Sequence, residues 1–137
     1  MIRKRAPIDA DELRRAALKA RDHAHAPYSG FRVGAALLDQ SGKIITGCNV
    51  ENSTYGLTVC AERVAIFKAI SEGCRQFSAI AVAADSTDLT PPCGACRQII
   101  WEFCGDIPVY LVSVKGAKKK FQMRDLFPAP FDHRQLS

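Results

Sequence analysis

Cys60-Ala61-Glu62 and, about thirty residues on, Pro92-Cys93-Gly94-Ala95-Cys96 restrict this chain's fold more than any other feature. Three thiolates can hold one zinc ion and leave its fourth tetrahedral position to water, the arrangement of a catalytic rather than a structural site. Both cysteine groups sit where a helix should begin. Cys60 opens a stretch running to Glu72 with Gly73 as its stop, and Cys93 opens one running to Cys104 after Pro91-Pro92. The unpaired N–H groups and positive dipole end of a helix N-terminus favour thiolates. If the three sulfurs share an ion, the two helix starts must meet, so the ligand set predicts a tertiary contact. Glu62, two residues past the first ligand, is placed to move protons without binding the metal. A CxxC alone also suits a redox motif or a structural zinc ribbon, and Cys48, Cys74 and Cys104 could give such a site its fourth ligand. None of these three lies in a second CxxC or beside a histidine at ligand spacing; they otherwise read as small buried apolar residues. The Cys-Ala-Glu triplet and the proline directly before Cys93 favour the catalytic reading.

The rest of the pattern supplies the frame. Asp9 with Glu12 resembles a capping box, and Leu13, Ala16, Ala17, Ala20 and Ala24 give a helical apolar stripe ending before Pro27. Phe31 to Asp39 reads as a strand, Gln40-Ser41-Gly42-Lys43 as a turn, and Lys43 to Cys48 as the returning strand of a hairpin. Ala79 to Ala84 and Pro108 to Val114 are apolar runs typical of strands buried on both faces. Phe121-Gln122-Met123 suggests a short edge strand, and Asp125 to Phe131 a turn-like or briefly helical segment. Strand, helix, strand, helix, strand after a hairpin predicts an α/β fold with helices on both faces of a mixed sheet. A chain of 137 residues is long enough for one domain, residues 1–137, with a single core.

Charge and composition narrow the classes. No apolar run is long enough to span a membrane. Met1-Ile2-Arg3-Lys4-Arg5 could open a signal peptide, but Pro7-Ile8-Asp9-Ala10-Asp11-Glu12 follows where its apolar stretch would stand. Six cysteines at this spacing then suit a metal site plus spare thiols in the cytoplasm. The net charge of +5 hints at nucleic acid, and its lysines gather at Lys115, Lys118, Lys119 and Lys120, its arginines at Arg3 and Arg5 around Lys4. No aromatics interleave with these lysines as a single-strand groove would need, so both read as solvated basic segments and no nucleic-acid partner is expected.

Four blocks raise the motif to a resemblance. Pro27-Tyr28-Ser29-Gly30-Phe31-Arg32-Val33-Gly34-Ala35-Ala36, Gly47-Cys48-Asn49-Val50-Glu51-Asn52-Ser53-Thr54-Tyr55-Gly56, Thr58-Val59-Cys60-Ala61-Glu62-Arg63 and Pro92-Cys93-Gly94-Ala95-Cys96-Arg97-Gln98 stand in order along the chain. Together they resemble the small cytidine deaminases from about Asp9 to about Phe131. Cys60 stands where the wider deaminase signature usually has histidine. The resemblance implies a three-layer α-β-α sandwich around a mixed five-stranded sheet, with one Zn²⁺ per chain on Cys60, Cys93 and Cys96. It implies hydrolysis of cytidine and 2′-deoxycytidine to the uracil nucleosides and ammonia, in pyrimidine salvage. A zinc-activated water attacks, and Glu62 acts as base and then acid.

Three thiolates leave zinc formally at −1, which opposes the acidification of its water, so a compensating cation is expected. Arg63 beside Glu62 and Arg97 beside Cys96 are the candidates, and the resemblance gives arginines there that role. Asn49 and Glu51, two apart, point to one side of an extended segment. An amide beside a carboxylate suits a sugar diol, and by resemblance the pair takes the ribose 3′ hydroxyl. A carboxylate there repels a phosphate on the sugar, so nucleosides are expected in preference to nucleotides. The resemblance further puts Phe31 and Tyr28 around base and sugar and has the Ala61 N–H support the base carbonyl. It gives a homo-oligomer, expected to be a tetramer, with Tyr55 near a subunit contact and among the substrate-binding residues. The ending Leu126-Phe127-Pro128-Ala129-Pro130-Phe131 is similar to the family's Leu-Leu-Pro-x-x-Phe, with Phe127 replacing the second leucine. By that likeness Phe131 reaches the substrate of a neighbouring chain.

Overall fold

The computed structural model describes residues 7–136, so the basic run around Lys4 lies outside the described residues. Helix α1 (Ala10–Arg21) begins as its sequence predicts, with Asp9 Oδ1 accepting the Glu12 N–H at 3.0 Å. It stops short of Ala24, and Leu13, Ala17 and Ala20 form its buried stripe. Strands β1 (Val33–Asp39) and β2 (Ile44–Cys48) make the expected hairpin, closed by Asp39, whose carboxylate takes the N–H groups of Ser41 and Lys43. Helix α2 (Ala61–Ser71), strand β3 (Phe77–Ala84), helix α3 (Gly94–Cys104) and strand β4 (Pro108–Ser113) follow. Strand β5 (Lys118–Gln122) and the short helix α4 (Met123–Leu126) close the fold.

The strands form one sheet in the order β2-β1-β3-β4-β5. β3 and β4 are parallel across the α3 crossover, and every other neighbouring pair is antiparallel. Alternation along β1, β3 and β4 sorts the core into two layers. Leu37, Ile80, Val82, Val109 and Leu111 pack with α2 and α3 on one face. Ala36, Ala79, Ala81, Tyr110 and Val112 pack with Leu13 and Ala17 of α1 on the other. This is the expected sandwich.

Two glycines allow its close spacing. A Cβ on Gly34 would lie 2.0 Å from the Ala17 carbonyl oxygen, and one on Gly47 would lie 2.5 Å from the Ala65 nitrogen. Each helix therefore rests its backbone directly on a strand. That brings the start of α2 against the end of the hairpin, where the site lies.

Of the boundaries that differ from the sequence reading, two bear on the site and the sheet edge. β5 starts at Lys118 rather than Phe121, and Met123 leaves it for α4, where it is fully buried. The lysine run is thus an edge strand. Its charge discourages pairing with another sheet edge, which is why it looked like a solvated segment. β1 begins at Val33 rather than Phe31, because the residues before it are held by side chains as well as by neighbouring strands.

Candidate metal centre and nucleoside cavity

Cys60 and Cys93 are the N-caps of α2 and α3, each with extended backbone. Cys96 lies in the first turn of α3 and is buried. The three sulfurs fall within 4.8 Å of one another, so the two helix starts do converge. Among the described residues no other cysteine, histidine or carboxylate joins this cluster. Cys48, Cys74 and Cys104 are elsewhere and half-buried, the last two against the core, so no fourth protein ligand comes from them. A hydrogen bond from Cys96 and the Arg63 guanidinium bring the Cys60 thiol down to about 5 against its burial. Sharing that bond, together with burial and the Glu62 charge, holds Cys96 well above the usual thiol range. Three close sulfurs, one of them facing the Arg63 guanidinium, are a donor set suited to zinc.

Glu62 is only 4% exposed, and burial pushes its carboxyl above the ordinary carboxylate range. Arg63 Nη2 sits 3.4 Å from Cys60 Sγ and 3.4 Å from the Thr58 carbonyl oxygen. It therefore faces the sulfur charge, as expected. Arg97 does something else. Its Nε donates to the Pro92 carbonyl at 2.8 Å and its Nη1 to the Leu126 carbonyl at 2.5 Å. Those bonds hold the residue before Cys93 against the end of α4, so they serve the backbone rather than a sulfur.

A cavity of about 280 Å³ opens over this centre. Cys60, Ala61, Glu62 and Cys93 line one side, with Phe31 and Val33, Asn49 and Glu51, and Thr90-Pro91 around them. Asn49 and Glu51 share the cavity as their spacing predicts, yet both are partly committed to their own chain. Asn49 Oδ1 accepts from Val33 N at 2.9 Å, and its Nδ2 donates to the Phe31 carbonyl at 2.8 Å. Glu51 accepts the N–H groups of Tyr28 and Ser29 and the Ser29 hydroxyl; those bonds, led by the hydroxyl, hold its carboxyl below the usual range. Tyr55 is not in this cavity. It lines an adjoining one of about 330 Å³ with Tyr28, and their rings meet edge to face at 5.8 Å. Phe131 is 57% exposed and outside the cavity of its own chain, so it does not cap its own core; Gln98 Nε2 holds its carbonyl at 2.8 Å. Trp101 donates its indole N–H to the buried Asp132 carboxylate at 2.9 Å. Ser29, Thr58 and Thr90 line the cavity without having been singled out, although each stands inside or next to a quoted block.

Comparison with known proteins agrees with this geometry. Residues 8–112 match the family model described as the cytidine and deoxycytidylate deaminase zinc-binding region. A cytidine deaminase from Sporosarcina psychrophila is 50% identical over 131 residues, covering 95% of this chain and 96% of the relative. A crystal structure of cytidine deaminase from Burkholderia pseudomallei superposes with a TM-score of 0.87 at 44% identity, over 90% of this chain and all of that one. A blasticidin-S deaminase from Bacillus cereus is 33% identical over 107 residues, covering 72% of this chain and 76% of the relative. The chain belongs to the cytidine and deoxycytidylate deaminases, a family of zinc-binding hydrolytic enzymes. The family is zinc-binding, and the Cys60, Cys93 and Cys96 cluster could hold such an ion. Among the described residues no helix is long and apolar enough to cross a membrane.

Proposed function

We propose that the chain is a single deaminase domain that hydrolyses cytidine and 2′-deoxycytidine to uridine and 2′-deoxyuridine with release of ammonia, in cytoplasmic pyrimidine salvage. The observation that carries this reading is one cavity holding Glu62, two of the three sulfurs and the Asn49/Glu51 pair together. Cys60, Cys93 and Cys96 would hold the zinc, which would supply a Lewis acid that lowers the pKa of water and so makes a hydroxide nucleophile available near neutral pH. Glu62 takes a proton from the attacking water and delivers it to ring N3. The same carboxylate then takes the proton of the new C4 hydroxyl and passes it to the exocyclic amino group, so that the C4 carbonyl forms as the C4–N bond breaks and ammonia leaves. The Ala61 N–H stands in the first turn of α2, where helix N–H groups lack intrahelical partners, and donates to the base carbonyl. Phe31 and Val33 flank the base. The second N–H of the Asn49 amide and the unused lone pairs of Glu51 take the ribose 3′ hydroxyl. Arg63 offsets sulfur charge, and Arg97 acts through the Pro92 backbone.

Ultraviolet detection of cytidine loss, with and without a zinc chelator, tests this directly. Cytidine should disappear only in the zinc-loaded sample, and a nucleoside antibiotic assayed alongside separates the reading from that of the Bacillus cereus relative. Cytidine 5′-monophosphate should be the poorer substrate, because Glu51 repels the phosphate. Glu51→Ala should raise KM for cytidine roughly tenfold, the value of a hydrogen bond to a charged group. Equal or better turnover of the monophosphate would overturn the sugar assignment.

The active assembly is proposed as a homo-oligomer, expected to be a tetramer, in which Phe131 of one chain closes the site of the next. Tyr55, Leu57 and Phe131 are 73%, 65% and 57% exposed, large apolar side chains that a neighbouring chain would cover. Light scattering during size exclusion should give a multiple of the chain mass. Mixing Glu62→Gln chains with Phe131→Ala chains should restore some activity, since mixed assemblies contain sites with both residues intact. A fully active monomer would sink this assembly.

A further inference from the structure

The wall that Phe31 and Val33 present to the cavity is not part of a helix and only touches the end of a strand, yet all of its backbone is held. Phe31 N–H donates to Ser29 Oγ at 3.0 Å, and the Phe31 carbonyl accepts from Asn49 Nδ2 at 2.8 Å. Val33 N–H donates to Asn49 Oδ1 at 2.9 Å, and its carbonyl accepts from Asn49 N at 3.2 Å. Between them Arg32 faces the opposite flank. Its N–H donates to Asp85 Oδ2 at 3.2 Å, and its carbonyl accepts the Asp85 N–H at 3.1 Å. The chain thus continues the line of β1 beyond its last ladder pair, with Asn49 standing in for β2 and Asp85 for β3.

Asp85 is also tied elsewhere. Its Oδ2 takes Arg32 Nε at 3.1 Å, and its Oδ1 takes Arg21 Nη1 from the last turn of α1. Its side chain is 19% exposed, and the bonds from Arg32 and Arg21 hold the carboxyl below the usual range despite that burial. β3 ends one residue before it, and the loop that follows carries Thr90 and Pro91 to the cavity and then Cys93 to the metal. One carboxylate therefore joins α1, the Phe31 wall and the start of the ligand loop. We infer that Asp85 is a positioning residue, which fixes the Phe31–Val33 wall against the base without touching substrate or metal.

The inference rests on the cytidine reading for its kinetic effect, though not for its structural one. Asp85→Ala removes the carboxylate bonds to Arg32 and Arg21 together and leaves the backbone bond to the Arg32 carbonyl. It should raise KM for cytidine about tenfold, the size of one lost hydrogen bond to a charged group. The same variant should leave kcat within about threefold and zinc at one per chain, because Glu62 and the sulfurs stand on other elements. Asp85→Asn keeps an acceptor for the Arg32 N–H and should recover most of the lost KM. Amide hydrogen exchange at Arg32 and Val33 should quicken in the alanine variant and not in the asparagine one. If the alanine chain does not fold, Arg21→Gln loosens Asp85 from α1 while leaving it in place, and a KM rise of a few-fold at constant kcat is expected. An unchanged KM in that variant, an unchanged KM in Asp85→Ala, or a parallel fall of kcat and zinc content would overturn the inference. A wild-type chain inactive on cytidine would fault the substrate reading, and the exchange rates would then decide the positioning role alone.

Discussion

Replacing Glu62 with glutamine should lower kcat on cytidine by about 10²–10⁴-fold, the range for losing a general acid–base group, while zinc and fold remain. Glutamine has the same shape and still donates and accepts hydrogen bonds. It cannot take a proton and return it. The position favours such a clean result: Glu62 is nearly sealed, at 4% exposed, in the first turn of α2, so a neutral isostere removes a buried charge without opening a cavity. It is two residues from Cys60 and not one of the three clustered sulfur ligands, so zinc is expected to stay bound. The measurement is kcat beside zinc content and thermal midpoint. Near-wild-type turnover in a zinc-replete variant would rule out the carboxylate as the proton carrier. A loss of zinc together with activity would mean that Glu62 is a ligand after all.

The sequence made this residue legible because its chemistry is local. Cys60, Glu62, Cys93 and Cys96 are read from spacing, and helix starts follow from the glycine and proline stops around them. The hairpin and the crossover from β3 to β4 were legible for the same reason, since each joins neighbours in the chain. What escaped is long-range. Asp85 reaches Arg32 and Arg21, 53 and 64 residues away, and nothing in Ala84-Asp85-Ser86 marks it as more than a turn residue. Asn49 was read toward the substrate, and its two hydrogen bonds to the Phe31–Val33 backbone depend on a hairpin register that spacing does not give. Arg97 was assigned from its neighbour Cys96. A helix turns by about 100° per residue, so adjacent residues face different directions. Arg97 instead meets Leu126, 29 residues on. Lys118 to Lys120 read as loop because charge masks strand patterning at a sheet edge.

Cys93→Ala should cost zinc and stability together, and the two losses should be one loss. Cys93 caps α3 and Cys60 caps α2, so an ion between them joins the two helix ends. Binding to the folded state alone stabilises a protein by about 4 kcal/mol when free metal exceeds its Kd a thousandfold. The Cys93 thiol is itself a poor stabiliser: the residue is exposed, and truncating it uncovers little apolar surface. The variant should therefore melt where the wild-type chain melts after chelation, not below it. Adding zinc should raise the wild-type midpoint and leave the variant's unchanged. Activity on cytidine should disappear in both metal-free samples and return with zinc only in the wild type. A variant that keeps one zinc per chain at wild-type affinity would show that the ligand set is misassigned. A variant melting well below the chelated wild type would show that Cys93 supports the helix start directly, and that the link between the two helices does not run through the metal.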